Sequence, residues 1–247
     1  MTAKILQLVN SAYFGIPRQV SCVVQAVSFL GLETVKTLVL SVEVFSQFDQ
    51  SKLPNFSVDG LWRHSVGTAM YARKIAQVEN FDRKVTDTAF MVGMLHDVGK
   101  LVLAANLPEQ FGRTIDLAND RGISHAQAER DVYGTTHAEV GAYLLGLWGF
   151  PIFVAESVAY HHLPQVVRST EGGTSPAAYT ADETVMMDAI RAANIFEHQD
   201  HPSAIIGALE PVEEQYLAAC GMADRFPVWR EMCVSPAEKE QLNDVVA

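Results

Sequence analysis

Apolar positions recur every three or four residues along nearly the whole chain, and stretches alternating apolar with polar are missing. That periodicity predicts an all-α, multi-helix bundle. Leu6, Val9 and Asn10 lie on a first helix that lacks an N-cap and a polar lead-in, and is expected to begin before Met1. Gly15-Ile16-Pro17 breaks it, and Ser21 is expected to cap a short helix ending at Gly31. A longer helix follows over Glu33–Phe48, then a loop over Pro54–Gly60, then a helix over Leu61–Val78. Asp82–Lys84 turns the chain into a buried helix from Val85 to about Asp97. Pro108-Glu109 opens the next, which runs to about Asn119, and Gly122 ends the turn after it. Ser124 caps a helix to Tyr133; Thr135 or Thr136 caps another, with Glu139 at the capping-box position. Gly149-Phe150-Pro151 ends that helix and starts one reaching His162. Val166–Thr180 reads as a mobile loop, and a helix beginning at Asp182 or Thr184 runs to His198. Further helical segments are expected at Pro211–Gly221 and Pro236–Val246. Residues 1–200 thus form the main domain, with 201–247 a C-terminal helical extension packed on it.

Polar residues interrupt the apolar stripes at a few positions. The run Ala89–Ala105, AFMVGMLHDVGKLVLAA, has only three strongly polar side chains: His96, Asp97 and Lys100. A buried carboxylate costs several kcal/mol unless it is paired or bound to a metal. Four other segments aim polar groups inward at helical spacing: His64 after Leu61, His137 with Val140, Gly141, Leu144 and Trp148, His161 after Val154 and Val158, and Asn194 after Met187 and Ile190. With His162 these supply enough ligands for one transition-metal ion and nearly enough for two, since a carboxylate between imidazoles can bridge a pair. The competing reading is a core in which the same groups satisfy one another by hydrogen bonds. Lys100 reads equally as a lysine facing a helix C-terminus or as a phosphate contact beside the metal. His125, His198 and His201 read as core or surface histidines, Trp62, Trp148 and Phe150 as core, and Glu139 as the capping-box partner.

Composition narrows the partners. The chain has 247 residues and a net charge of −11, which disfavours nucleic acid and anionic membrane surfaces. Its three cysteines, Cys22, Cys220 and Cys233, fit no disulfide framework and suit a reducing cytoplasm. No signal peptide opens the chain, and the longest apolar run, broken by His96, Asp97 and Lys100, is not read as membrane-spanning.

The motifs TAKILQLVNSAYFGIP, VQAVSFLGLETVKTLVLS, WRHSVGTAMYARKIA, FMVGMLHDVGKLVL, HAEVGAYLLGLWGFP and VAYHH resemble, in order, those of HDOD domains within the HD superfamily of metal-dependent phosphohydrolases. The resemblance implies a bacterial signal-transduction output domain, such as follows a receiver domain in response regulators, with a protein partner or receiver domain and a possible homodimer. It also implies further helices before Thr2, so a partner segment or second copy is expected to cover the first helix. His64, His96, Asp97, His137, His161 and His162 match ligands of the HD-GYP phosphodiesterases, which hydrolyse cyclic di-GMP; Asp97 and Lys100 are the candidate catalytic residues. Asn194 in DAIRAANIFE stands where the last HD ligand is an aspartate, and Leu163-Pro164-Gln165 stands in place of a GYP segment. The cofactor implied is a divalent transition metal (Fe, Mn, Zn or Ni), one ion rather than two, or none. Two functions follow as expectations: a regulatory domain acting through binding with an altered metal site, or an active phosphohydrolase of a cyclic dinucleotide or nucleotide.

Overall fold

The structure, a computed structural model, describes residues 2–11, 14–50, 53, 56–162, 180–201 and 222–233. Every element among them is helical. In order these are α1 (Thr2–Val9), α2 (Val23–Leu30), α3 (Leu32–Ser46), α4 (Val58–Val78), α5 (Arg83–Leu95), α6 (Val98–Asn106), α7 (Pro108–Arg121), α8 (His125–Tyr133), α9 (His137–Leu147), α10 (Ile152–Ala159), α11 (Ala181–Asp200) and α12 (Arg225–Cys233).

Local chemistry sets most of the boundaries. The side chains of Ser57, Asp82 and Ser124 accept from the backbone N–H of Gly60, Val85 and Gln127, so each start is capped. Thr136 with Glu139, and Thr180 with Glu183, form complete capping boxes. Gly122, at φ 63°, ends α7 in the left-handed region that a side chain would resist. Ser21 is not the cap of α2: that position is Cys22, and the Ser21 N–H and Oγ both turn to Gln25 Oε1.

The long α4 packs against α5 and α11, and these three carry the larger apolar core, including Ala69, Ile75, Phe90, Leu95, Ile190 and Phe196. Gly93 lets α4 and α5 touch: a Cβ there would lie 2.5 Å from the Ala69 Cα. Gly99 does the same for α6 and α9, where a Cβ would lie 1.9 Å from the His137 carbonyl oxygen. A second core joins α3, α6 and α7 through Phe45, Phe56, Leu101 and Phe111. Segment Arg83–Asn106 is long and apolar enough to cross a membrane by length and composition, yet 78% of that window is buried inside the bundle.

Three further expectations need correction. The helix expected from Val85 to Asp97 ends at Leu95, and a new one starts at Val98, because Asp97 turns its carboxylate inward and its backbone leaves helical geometry (φ −101°, ψ 10°). The helix after Pro151 stops at Ala159, leaving His161 and His162 in the turn beyond it. Trp148 is 46% exposed rather than core, because the buried ridge of α9 runs through His137, Gly141 and Leu145. Helix α12 lies between the two tail segments expected to be helical, with Pro227 in its first turn, where proline is tolerated. Trp229 anchors α12, fully buried and donating from Nε1 to Glu79 Oε1 at 2.7 Å. The segments expected at Pro211–Gly221 and Pro236–Val246, and the loop expected before Thr180, lie outside the described residues.

Candidate metal centre

The break between α5 and α6 is the hub. Asp97 occupies the N-cap position of α6, where an aspartate ordinarily accepts from the helix's own backbone N–H groups. It makes no such bond, and its carboxylate faces a ring of histidines instead. His64 on α4 and His96 approach Oδ2 with Nε2 at 3.6 and 3.4 Å. His137 from α9 and His161 beyond α10 approach Oδ1 with Nε2 at 3.1 and 3.7 Å. His162 Nε2 lies 2.9 Å from His137 Nε2. Two ligand groups result, His64–His96–Asp97 and Asp97–His137–His161–His162, each with donor atoms within 4.8 Å of one another. Asp97 belongs to both.

The histidine tautomers follow from the outward-facing nitrogens. Nδ1 of His96 and of His161 donates to the carbonyls of Gly93 and Val158, each at 2.7 Å. Nδ1 of His137 donates to Glu129 Oε2 at 2.6 Å, and Nδ1 of His64 to Glu197 Oε2. A carbonyl or carboxylate only accepts, so each Nδ1 carries a proton, and in the neutral form of each ring the Nε2 lone pair turns inward. Lone pair then faces lone pair: His64 and His96 Nε2 are 3.2 Å apart, and His161 Nε2 and Asp97 Oδ1 have no hydrogen-bond partner. Hydrogen bonds among these groups alone do not resolve the cluster. A cation does, since two imidazole nitrogens on one ion at about 2.0–2.1 Å sit roughly 3 to 3.5 Å apart.

Burial sets the protonation of each group. His64, His96, Asp97, Lys100, His137 and His161 are all 2% exposed or less. Burial alone would push the Asp97 carboxyl up, but His96 and Lys100, with the His137 and His161 rings at its other oxygen, hold it well below the usual carboxylate range. Burial drives His96 and His162 well below the ordinary histidine value and lowers His161 also, which keeps these rings neutral and able to ligate. His137 goes the other way: burial opposes its charge, but Glu129 on one side and Asp97 on the other raise it. A ring between two carboxylates calls for positive charge, from a proton or from a metal.

Lys100 lies in the first turn of α6, which removes the reading of a lysine at a helix C-terminus. Its Nζ donates to Asp97 Oδ2 at 2.8 Å, an ion pair that offsets the adverse end of the helix dipole. Asn194 on α11 is 3% exposed and its Oδ1 has no partner. His125 is buried, with its ring packed edge-on against Phe111 and both nitrogens unpartnered. Glu139 sits in its capping box and also pairs with Arg130.

Sequence reasoning missed Glu129 and Glu197. Glu129 is fully buried on α8 and takes both the His137 backbone N–H and Nδ1. Glu197 is 4% exposed. The available signal was a glutamate eight residues before His137 and another one turn after Asn194.

A helical bundle built around a His-Asp pair at a helix break, with further histidines converging from neighbouring helices, is the arrangement of an HD-type domain. The family model for the HDOD domain matches residues 1–164, and the chain belongs to that family. An uncharacterized protein of Treponema pallidum is 26% identical over 165 residues, 66% of this chain and 31% of that protein, so the chain spans about a third of that curated relative. Among solved structures the fold is similar to an HDOD domain protein of unknown function from Geobacter sulfurreducens (TM-score 0.68, 22% identity, 99% of this chain and 77% of that one). It is also similar to a Shewanella amazonensis protein provisionally named a phosphohydrolase (TM-score 0.67, 22% identity, 100% and 82%). A Marinobacter aquaeolei protein provisionally named a signal transduction protein follows (TM-score 0.66, 18% identity, 99% and 52%).

Proposed function

We propose that this chain is a signal-transduction output domain of the HDOD type that works by binding a protein partner, with a buried divalent transition-metal centre that ties its helices together. The observation that carries this reading is the convergence of inward Nε2 lone pairs on Asp97 at positions 2% exposed or less. His64, His96, Asp97, His137, His161 and His162 would hold the ion, which would supply Lewis acidity and a fixed positive charge. The chain's own part is to keep His96, His161 and His162 neutral, fix the ring tautomers and exclude water. Ligands drawn from α4, the α5–α6 break, α9 and the turn after α10 couple metal occupancy to the relative placement of those helices.

A second reading, hydrolysis of a cyclic dinucleotide, draws on Asp97 shared between two ligand groups and on Lys100 beside it. Asn194 weighs against it, since a neutral amide lacks the charge that offsets repulsion between two nearby cations. One experiment separates the two. Purified protein is analysed for Fe, Mn, Zn and Ni, and assayed on cyclic di-GMP with added Mn or Fe under reducing conditions. Bound metal without hydrolysis supports the regulatory reading. Turnover on the order of one per second, within the ordinary enzyme range, overturns it. Absence of metal after growth in supplemented medium removes the metal centre.

A further inference from the structure

We propose that Glu129 and Glu197 are paired positioning residues, one for each ligand group, and that Glu197 supplies the negative charge which Asn194 leaves out. The inference rests on the metal-centre reading above. His64 belongs to one ligand group and His137 to the other, and each donates its outer Nδ1–H to a buried glutamate. A carboxylate behind a metal-bound imidazole fixes the tautomer and the ring orientation, and makes the facing nitrogen a stronger donor. The two glutamates come from different helices, Glu129 from α8 and Glu197 from α11.

The backbone is shaped for both. Glu129 takes the backbone N–H of His137 at 2.8 Å as well as its ring, locking the first residue of α9 and its side chain together. Glu197 reaches His64 only because position 67 is glycine: a Cβ there would lie 2.6 Å from the Glu197 Cγ and 3.1 Å from Oε1. Burying a carboxylate costs several kcal/mol without compensation. Both meet a histidine of the cluster, and Glu197 places its other oxygen 3.4 Å from Nδ1 of His201, whose side chain lies on the outer side, 39% exposed. With the histidines counted as neutral, Asp97, Glu129 and Glu197 against Lys100 leave a net charge of −2 in the buried cluster. That matches one divalent cation. Glu197 lies three residues after Asn194, one turn along the same face of α11, so the helix that lacks a ligating carboxylate delivers a charge through His64 instead.

The test uses the full chain stripped of metal by chelation, titrated with Co²⁺ and followed by visible absorption and by metal content. Wild type is compared with Glu129→Gln, Glu197→Gln, Gly67→Ala and the surface control Glu33→Gln. One Co²⁺ per wild-type chain is expected. Each of the two site glutamine variants should bind it about 10- to 100-fold more weakly. Gly67→Ala, which displaces Glu197, should shift the same way, and Glu33→Gln should match wild type. If both site variants bind within twofold of wild type, the positioning role falls while the metal centre stands. If wild type binds two ions, the charge balance falls. If wild type binds none, the metal reading falls and takes this inference with it. Should the variants not fold, nitrogen-15 NMR of zinc-loaded wild type decides the matter: Nδ1–H tautomers on His64 and His137 are expected, and an Nε2–H tautomer on either refutes the assignment.

Discussion

Replacing Gly99 by alanine should both destabilise the fold and loosen the metal centre, and the size of each effect follows from the α6–α9 crossing. A Cβ at position 99 would lie 1.9 Å from the His137 carbonyl oxygen and 2.8 Å from both the His137 carbonyl carbon and the Gly141 nitrogen. Non-bonded heavy atoms settle at about 3.5 Å, so the helices must separate by an ångström or more. The obstacle is backbone, which no rotamer change relieves. Overpacking of this kind costs typically about 1–3 kcal/mol, or roughly 2–12 °C in Tm for a domain of this size. His137 moves with α9, and its Nε2 stands only 3.1 Å from Asp97 Oδ1. Ligand distances tolerate only about ±0.2 Å, so a separation of that size should lower metal affinity at least tenfold, to order of magnitude. Gly146→Ala, in the same helix with nothing within 4 Å of the added Cβ, is the internal control. It should leave metal binding unchanged and raise stability by up to about 1 kcal/mol through helix propensity. Urea unfolding and Co²⁺ titration of both variants are the measurements. If Gly99→Ala unfolds within about 0.5 kcal/mol of wild type and binds Co²⁺ equally well, the crossing does not position His137 and the reasoning fails.

Asn194→Asp should raise binding from one ion per chain towards two, read by elemental analysis of protein dialysed against excess Mn²⁺; an unchanged ratio would show that Asn194 does not set the stoichiometry. Metal-free protein should lose stability on acidification: burial lowers His125 to about 4, so the unfolded chain binds the extra proton between pH 6.5 and about 4. The contribution is complete above pH 6.5 and declines by about 3 kcal/mol towards pH 4, and His125→Phe should flatten that limb in urea unfolding at stepped pH. Trp229→Ala should cost about 3–5 kcal/mol, as for other fully buried large side chains, and also leave Glu79 Oε1 without its indole donor; a loss under 1 kcal/mol would mean that α12 does not share the core.

Helical period and turn chemistry are local, so the sequence by itself determined the helical class, the cap at Ser124, the turn into α5 at Asp82 and the start of α9 at Thr135 or Thr136, between which only the structure chose. The improbability of an unpaired aspartate and lysine in an apolar run also marked His96, Asp97 and Lys100 as a group needing partners. Only the tertiary structure decided what those partners are. The break of the chain at Asp97 was hidden because the apolar pattern continues through it. The outward exposure of Trp148 depended on which face of α9 meets α6. Nothing local marks Glu129 or Glu197, since a carboxylate on a helix is usually solvated. Their burial follows from where α8 and α11 cross the histidine-bearing helices, and from the glycine at position 67 that makes room. Periodicity is a property of neighbours along the chain, whereas the pairing of His64 with Glu197 spans 133 residues and exists only once the bundle has closed.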